Sequence, residues 1–339
     1  MALTLTQPGM ASGFFSRQDI TVHRITRALL RVRRVRVASD KHADCANDPC
    51  DQCYATVAEM VRRGLAAERF QMVLPAFPCK SPNPTLTLAD ATGGRPDWAE
   101  MIALNFLAEL VEEVRIVRAD ARIVLALDGR LFEDLCGRLW PTFGPRNVDA
   151  YVAGLKQEID LRGWGDLFHV CSLDDYYIGS LEQKRQQVIN QWAVHPTEEH
   201  LYQTLLTSPE QLADYVGIKK FLEEDGAMSP VYPSLTNSRK RQECKVFALG
   251  VLHRSAAWSR LIAEEFPGAV RLSIHQWWPH NVSKVGIYLS PSLNNLVSPW
   301  RGVGMYDRTD RTWQIVKRQE AEAAGATLVW QDGMPFYRR

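Results

Sequence analysis

The chain has 339 residues, enough to bury a sizeable core as one large domain or as one domain with an appendage. Forty Lys and Arg against 39 Asp and Glu leave a net charge of +1, which gives no electrostatic case for a nucleic-acid partner. No apolar run reaches the roughly 20 residues that span a bilayer, and no secretory h-region follows Met1. Seven cysteines without disulfide-dense spacing fit a reducing compartment, so a cytoplasmic location is expected.

Residues 1–18 are rich in Ser, Thr and Gly and read as a leader. They are followed by an Arg-rich stretch, Arg24 to Arg36, interleaved with Ile25, Leu29, Leu30, Val32 and Val35. That stretch reads as an accessory helix running into a strand, with its charged face in water. Residues 1–53 are taken as leader and accessory segment, and 54–339 as a single α/β catalytic domain. Val57, Met60, Val61 and Leu65 repeat at helical spacing, and Phe70 to Phe77 reads as a buried strand stopped by Pro78. A largely buried helix is expected from Pro96, at a first helical position, to Val117.

A second strand, Ile123 to Leu127, ends at Asp128-Gly129-Arg130. A short helix, a longer one at 148–162 and a strand from Leu167 to Cys171 come next. Alternation of this kind argues for a Rossmann-like, mostly parallel sheet with helices on both faces. The pattern from Asp174 to Glu265 is largely helical, and strands return at 269–275, 284–289, about 312–317 and 326–330.

Ligands of open α/β sheets bind beyond the carboxyl ends of the strands. The first strand runs into PAFPCKSPN at 75–83. Its three prolines stiffen a loop that offers Lys80, Ser81 and Asn83 within four residues. An ordinary Pro-rich turn would look the same. At the second strand's end Asp128 is placed for general base work, and Arg130 for holding a carboxylate or phosphate, although a helix cap with a local ion pair fits equally. In Val270 to His275, polar and apolar residues alternate, so Arg271, Ser273 and His275 share one face. Lys284 to Leu289 alternates again, with Lys284 and Tyr288 polar. Paired as a hairpin, the two strands would make Arg271, His275 and Lys284 a cationic surface suited to phosphate.

Cys45, Cys50 and Cys53 have C-x4-C-x2-C spacing, with His42 nearby. Plant-type ferredoxins use that spacing but need a fourth Cys, and a zinc site of Cys3His type is the other metal reading. The remaining cysteines form no second pair, so structural thiols and no metal are expected here. Neither G-x-G-x-x-G nor G-x-x-x-x-G-K-[ST] occurs, nor a G-x-S-x-G elbow. A dinucleotide, an ATP cofactor and serine hydrolysis therefore have no support.

Taken together, LPAFPCKSPNP at 74–84, PDWAE at 96–100, DGRLFEDL at 128–135 and RLSIH at 271–275 resemble, in this order, the isocyanide synthases. That family groups bacterial pyoverdine/paerucumarin biosynthesis proteins with the dityrosine biosynthesis proteins of yeast spore walls. The stretch Gly217 to Asp225 and the pair Arg254-Ser255 add to the resemblance, which covers about residues 54–306. It implies a Rossmann-like fold and condensation of the amine of tyrosine or tryptophan with ribulose 5-phosphate. The nitrogen would become an isonitrile whose carbon comes from the sugar, without metal or redox cofactor. An iron/2-oxoglutarate dioxygenase is the implied pathway neighbour. Candidate catalytic residues are then His275, Asp128 and Lys80. Candidate binding residues are Ser81, Asn83, Arg130, Arg254, Arg271, Ser273, Lys284 and Arg301, with Arg130 as the clamp on the amino acid's carboxylate.

Two departures stand out. Leu86 to Gly94 replaces the family's Lys-Val-Leu-Gly run after PNP, and Ser298-Pro299-Trp300-Arg301 stands where the family has Thr-Pro-Trp-His. Gln276-Trp277-Trp278-Pro279-His280 is an aromatic stretch that would line an amino-acid pocket or pack at the surface. The alternatives are a relative acting on another amine or giving an N-formyl product, and a non-catalytic metal- or ligand-binding protein.

Overall fold

The computed structural model describes residues 16–35, 45, 48–276, 283–292 and 297–339. The expected leader at 1–15, Arg36, His42 and the aromatic residues Trp277 to His280 lie outside the described residues.

Helix α1 (Arg17–Arg31) opens with a Ser16–Asp19 capping box and α2 (Asp51–Leu65) follows. Strand β1 (Gln71–Pro75) then leads through the single turn α3 (Ala89–Thr92) to α4 (Trp98–Arg115). Next come β2 (Arg122–Leu127), α5 (Gly129–Leu139), α6 (Pro145–Leu161) and β3 (Phe168–Ser172). The helical region contains α7 (Leu181–Trp192), α8 (Glu198–Leu205), α9 (Pro209–Gly226) and α10 (Asn237–Glu265). The chain ends with β4 (Val270–Ser273), β5 (Val285–Gly286), β6 (Val303–Asp307), β7 (Thr312–Val316), α11 (Arg318–Ala323), β8 (Thr327–Gln331) and β9 (Met334–Arg338).

Five parallel strands form the main sheet in the order β3-β2-β1-β4-β5. The continuous apolar run of β1 is explained by burial on both faces. Met72 and Leu74 join one core with Ile123, Leu125, Val270 and Leu272, while Val73 joins the other with Val124 and Ala126. Ile25 and Leu29 of α1 belong to the first of these cores. Beyond α1, Arg33 bridges Ile287 in antiparallel fashion and Arg34 N donates to Gly286 O at 2.8 Å, so the segment extends the sheet at β5.

A smaller mixed sheet has the order β7-β6-β9-β8. It rests on α4 through Trp98, which stacks on Trp313 at 4.8 Å and meets Phe336 edge-on. β6 and β9 escape a reading by pattern because Gly304 and Pro335 interrupt them. Gly304 is required there, since a Cβ would lie 2.7 Å from that of Trp98.

Two expectations change. The helix cap is Asp97, not the residue before Pro96, because Asp97 and Glu100 form a capping box. β5 runs parallel to β4, with Leu272 opposite Val285 and Ser273 opposite Gly286, so the two are not a hairpin. Alternation reports which face a residue takes and not which way its neighbour runs. Arg271 and Ser273 do share a face, but that face is covered by α10 rather than wet: Arg271 donates to Ser259 O at 2.9 Å and to Ser259 Oγ at 3.0 Å.

Candidate active site

The strand order reverses between β1 and β4, and the crevice at such a switch point is where open α/β sheets bind ligands. The loop at 75–83 leaves β1 here. Phe77 takes a positive φ of 56°, a strained conformation for a non-glycine residue, and its buried ring meets Trp300 edge-on at 5.5 Å. Gly129 follows from this close approach: a Cβ there would lie 1.7 Å from Pro78 O, so the DGR turn and the loop interlock through bare backbone.

Past Pro78, successive side chains go separate ways. Lys80 turns into the protein, where Nζ lies 2.9 Å from Asp97, 2.8 Å from Glu100 and 3.1 Å from Pro299 O. The ammonium is fully buried. Burial alone would depress its pKa, but the two carboxylates hold it above the ordinary value. Two acids share one cation, and burial raises the Glu100 carboxyl to about 7, with the Tyr151 hydroxyl also donating to it. Asn83 is likewise enclosed, its amide donating to Asp225 O at 3.2 Å and its oxygen accepting from Thr85 N. Ser81, also buried, meets the same residue through its side chain, donating to Asp225 Oδ1 at 3.2 Å. Arg301 reaches the same carboxylate at 3.3 Å and lies over the Phe221 ring.

Cys79 lies beside Cys136, Asp128 and Asp225. The hydrogen bond with Cys136, burial and the two carboxyl groups push its thiol well up. Asp128 stands at the carboxyl end of β2 with Oδ1 hidden from solvent and without a hydrogen-bond partner. Burial raises its pKa to about 7.

The arginines around α5 are consumed by acids. Arg130 pairs with Asp149 and, at 2.7 Å, with Asp174. Arg254 grips Asp134 with both terminal nitrogens, at 2.6 and 3.0 Å. The expectation that these two guanidiniums meet the substrate is thus at odds with their geometry, since neutralised forks offer little to an incoming anion.

The cations along β4 and β5 differ. Among the described residues, Arg34, Arg271 and Lys284 have no carboxylate within ion-pair distance. Burial lowers the pKa of all three. Arg34 donates to Ile274 O at 2.7 Å. The His275 side chain is exposed, and the protein packed around it, with Lys284 and Arg34, lowers its pKa to about 4. Asp214 of α9 is the acid that faces His275 and Lys284. The backbone N–H of His275 is held by Ser273 Oγ at 3.2 Å. Arg34 joins the candidate residues and is passed over by pattern reading, because one arginine in an Arg-rich helix end carries no mark of the strand it meets 240 residues later.

Comparison with known proteins identifies the family. A family model described as pyoverdine/dityrosine biosynthesis protein matches residues 57–329. The chain belongs to the isocyanide synthase family. Its sequence is 32% identical to the L-tryptophan isonitrile synthase AmbI2 of Fischerella ambigua, covering 95% of this chain and 92% of that protein. It is 36% identical to the L-tyrosine isonitrile synthase of Pseudomonas aeruginosa, covering 81% and 80%. The crystal structure of PvcA from P. aeruginosa superposes with a TM-score of 0.80 at 33% identity, over 94% of this chain and 99% of PvcA. No helix of the described residues is long and apolar enough to cross a membrane.

Proposed function

We propose that this isocyanide synthase converts the amine of an aromatic L-amino acid, tyrosine or tryptophan, to an isonitrile with ribulose 5-phosphate as carbon donor. The observation that carries the reading is the set of cations along β4 and its neighbours, Arg34, Arg271 and Lys284, which form no ion pair among the described residues and lead to His275 beyond the carboxyl end of β4. A phosphorylated sugar supplies the missing negative charge, and Ser273 adds a hydroxyl. His275, uncharged at neutral pH, accepts protons without first losing one. Asp128, with a pKa near 7, donates or accepts as imine formation and sugar fragmentation require. Asp225, with Ser81 and Arg301 against it, receives the ammonium of the amino acid; Arg301, paired with Asp225 and Glu224, is as occupied as Arg130, which is held by Asp149 and Asp174.

Lys80 and Asn83 act as positioning residues that set the loop carrying Ser81. Arg130 and Arg254 do the same for the turn carrying Asp128. The isonitrile product suits oxidation next by an iron/2-oxoglutarate dioxygenase. The test is incubation of the purified chain with ribulose 5-phosphate and each aromatic amino acid, with infrared and mass detection of an isonitrile. Folded protein that yields none from any of them would overturn the reading, and an N-formyl mass would redirect it.

A further inference from the structure

Outside the site, one cluster of side chains has the makings of a metal centre. The sulfurs of Cys45, Cys50 and Cys53 all lie within 4.8 Å of one another, with Cys45 and Cys53 buried and Cys50 half-buried. The seven cysteines include no disulfide. The spacing by itself suits structural thiols, but the three sulfurs are gathered within reach of a single ion. Cys50 is the N-cap of α2 and Cys53 lies in its first turn, where the aligned peptide dipoles favour thiolate. Arg33 adds positive charge beside Cys45 and Cys53, and its guanidinium donates to Cys45 O at 3.2 and 3.4 Å.

We propose that Cys45, Cys50 and Cys53 bind one zinc ion through three thiolates. Tetrahedral zinc with Zn–S bonds of about 2.3 Å places its sulfurs roughly 3.8 Å apart, inside the observed limit. An iron–sulfur cluster spreads its thiolates over several irons and so holds them further apart. The fourth position falls to solvent or another protein oxygen or nitrogen, as zinc chemistry accepts either.

The centre has a structural consequence for the site. Cys45 is tied by its carbonyl to Arg33, and Arg33 bridges Ile287 at the sheet edge. The next residue, Arg34, reaches Ile274 O beside His275. A zinc knot at the start of α2 therefore anchors the strand segment that delivers Arg34, and it acts on substrate binding through position rather than contact.

The test uses the full chain purified without chelator from zinc-supplemented medium. Elemental analysis is expected to give one zinc per chain. Replacement of the zinc by Co(II) should produce sulfur-to-cobalt charge-transfer absorption together with tetrahedral ligand-field bands. Cys53→Ser should lose the metal, and chelation of the wild type should lower its Tm. Three results would overturn the proposal. These are zinc-supplemented protein with no stoichiometric metal and seven reactive thiols, a thiol count two short of seven that reveals a disulfide, and an iron–sulfur chromophore. Because Co(II) is titrated into the wild type, the outcome stands even if a cysteine variant does not fold. None of these readouts requires isonitrile formation, so failure here and failure of the proposed activity are separable.

Discussion

Two sets of positive charge lie beyond β1 and along β4, and they are neutralised in opposite ways. Lys80 is buried with two carboxylates and a carbonyl around its nitrogen. Arg34 and Arg271 are half-buried and, among the described residues, meet backbone or hydroxyl oxygens rather than carboxylates, while Lys284 is exposed and has no ion pair among them. Burial of a charge is tolerated only when it is paired, so the first arrangement is complete in itself. The second retains a deficit of negative charge that a phosphate would supply. Cations of the first kind hold a loop, and those of the second kind are the ones proposed to receive a ligand.

The largest effect is expected from breaking the complete set. Lys80→Met leaves Asp97 and Glu100 buried without their cation and should cost roughly 3–5 kcal/mol of stability in denaturant unfolding. Combining it with Asp97→Asn and Glu100→Gln should recover much of that loss. If Lys80→Met instead keeps its stability and loses only substrate affinity, Lys80 belongs with the receiving set and the contrast collapses.

Asp128 sharpens the contrast from the acidic side, as a carboxyl with an unpartnered oxygen where Asp97 and Glu100 have Lys80. Asp128→Asn should lower kcat about 100-fold or more and remove the limb of the pH–rate profile near pH 7. The sign of its stability effect follows from its raised pKa. Between about 4 and 7 the native state binds more protons than the unfolded chain, so Asp128 stabilises at low pH and that contribution is lost as pH rises through about 7. The variant should therefore gain stability over wild type at pH 8 and not at pH 4. Lys284→Ala should raise KM for the phosphosugar about 10- to 100-fold while leaving Tm unchanged or slightly higher, since it removes a charge that folding leaves unmatched.

Much of this arrangement was legible from residue patterns, and the rest was hidden for definable reasons. The β-α alternation, the strand at Ile123 to Leu127 and the shared face of Arg271 and Ser273 follow from side-chain periodicity, which the backbone enforces locally. The direction of β5 was not readable, because it depends on a crossover rather than on local pattern. PDWAE was readable as a helix start, but not that its two acids would close on Lys80 from the preceding loop. The same limit hid the pairing of Arg130 and Arg254. A guanidinium advertises affinity for an anion, and only tertiary packing decides whether Asp149 and Asp134 have already met it.

The smallest expected effect probes the receiving set with inorganic phosphate. In the ligand-free protein the exposed His275 imidazole is held low, to about 4, by the protein packed around it and by Lys284 and Arg34, with Asp214 opposing them. Between about 6.5 and 4 the native state binds fewer protons than the unfolded chain, so this histidine costs stability as pH falls through that window. Phosphate seated among Arg34, Arg271 and Lys284 cancels part of the repulsion and should move the His275 midpoint up by about one unit. Titration of the histidine resonances by NMR, with and without saturating phosphate, reads the shift directly. Lys284→Ala should raise the midpoint in the absence of phosphate and blunt the further rise on adding it. A midpoint that ignores phosphate in the wild type would mean that the three cations do not converge on one anion. The contrast between the two sets would then rest on packing rather than on ligand binding.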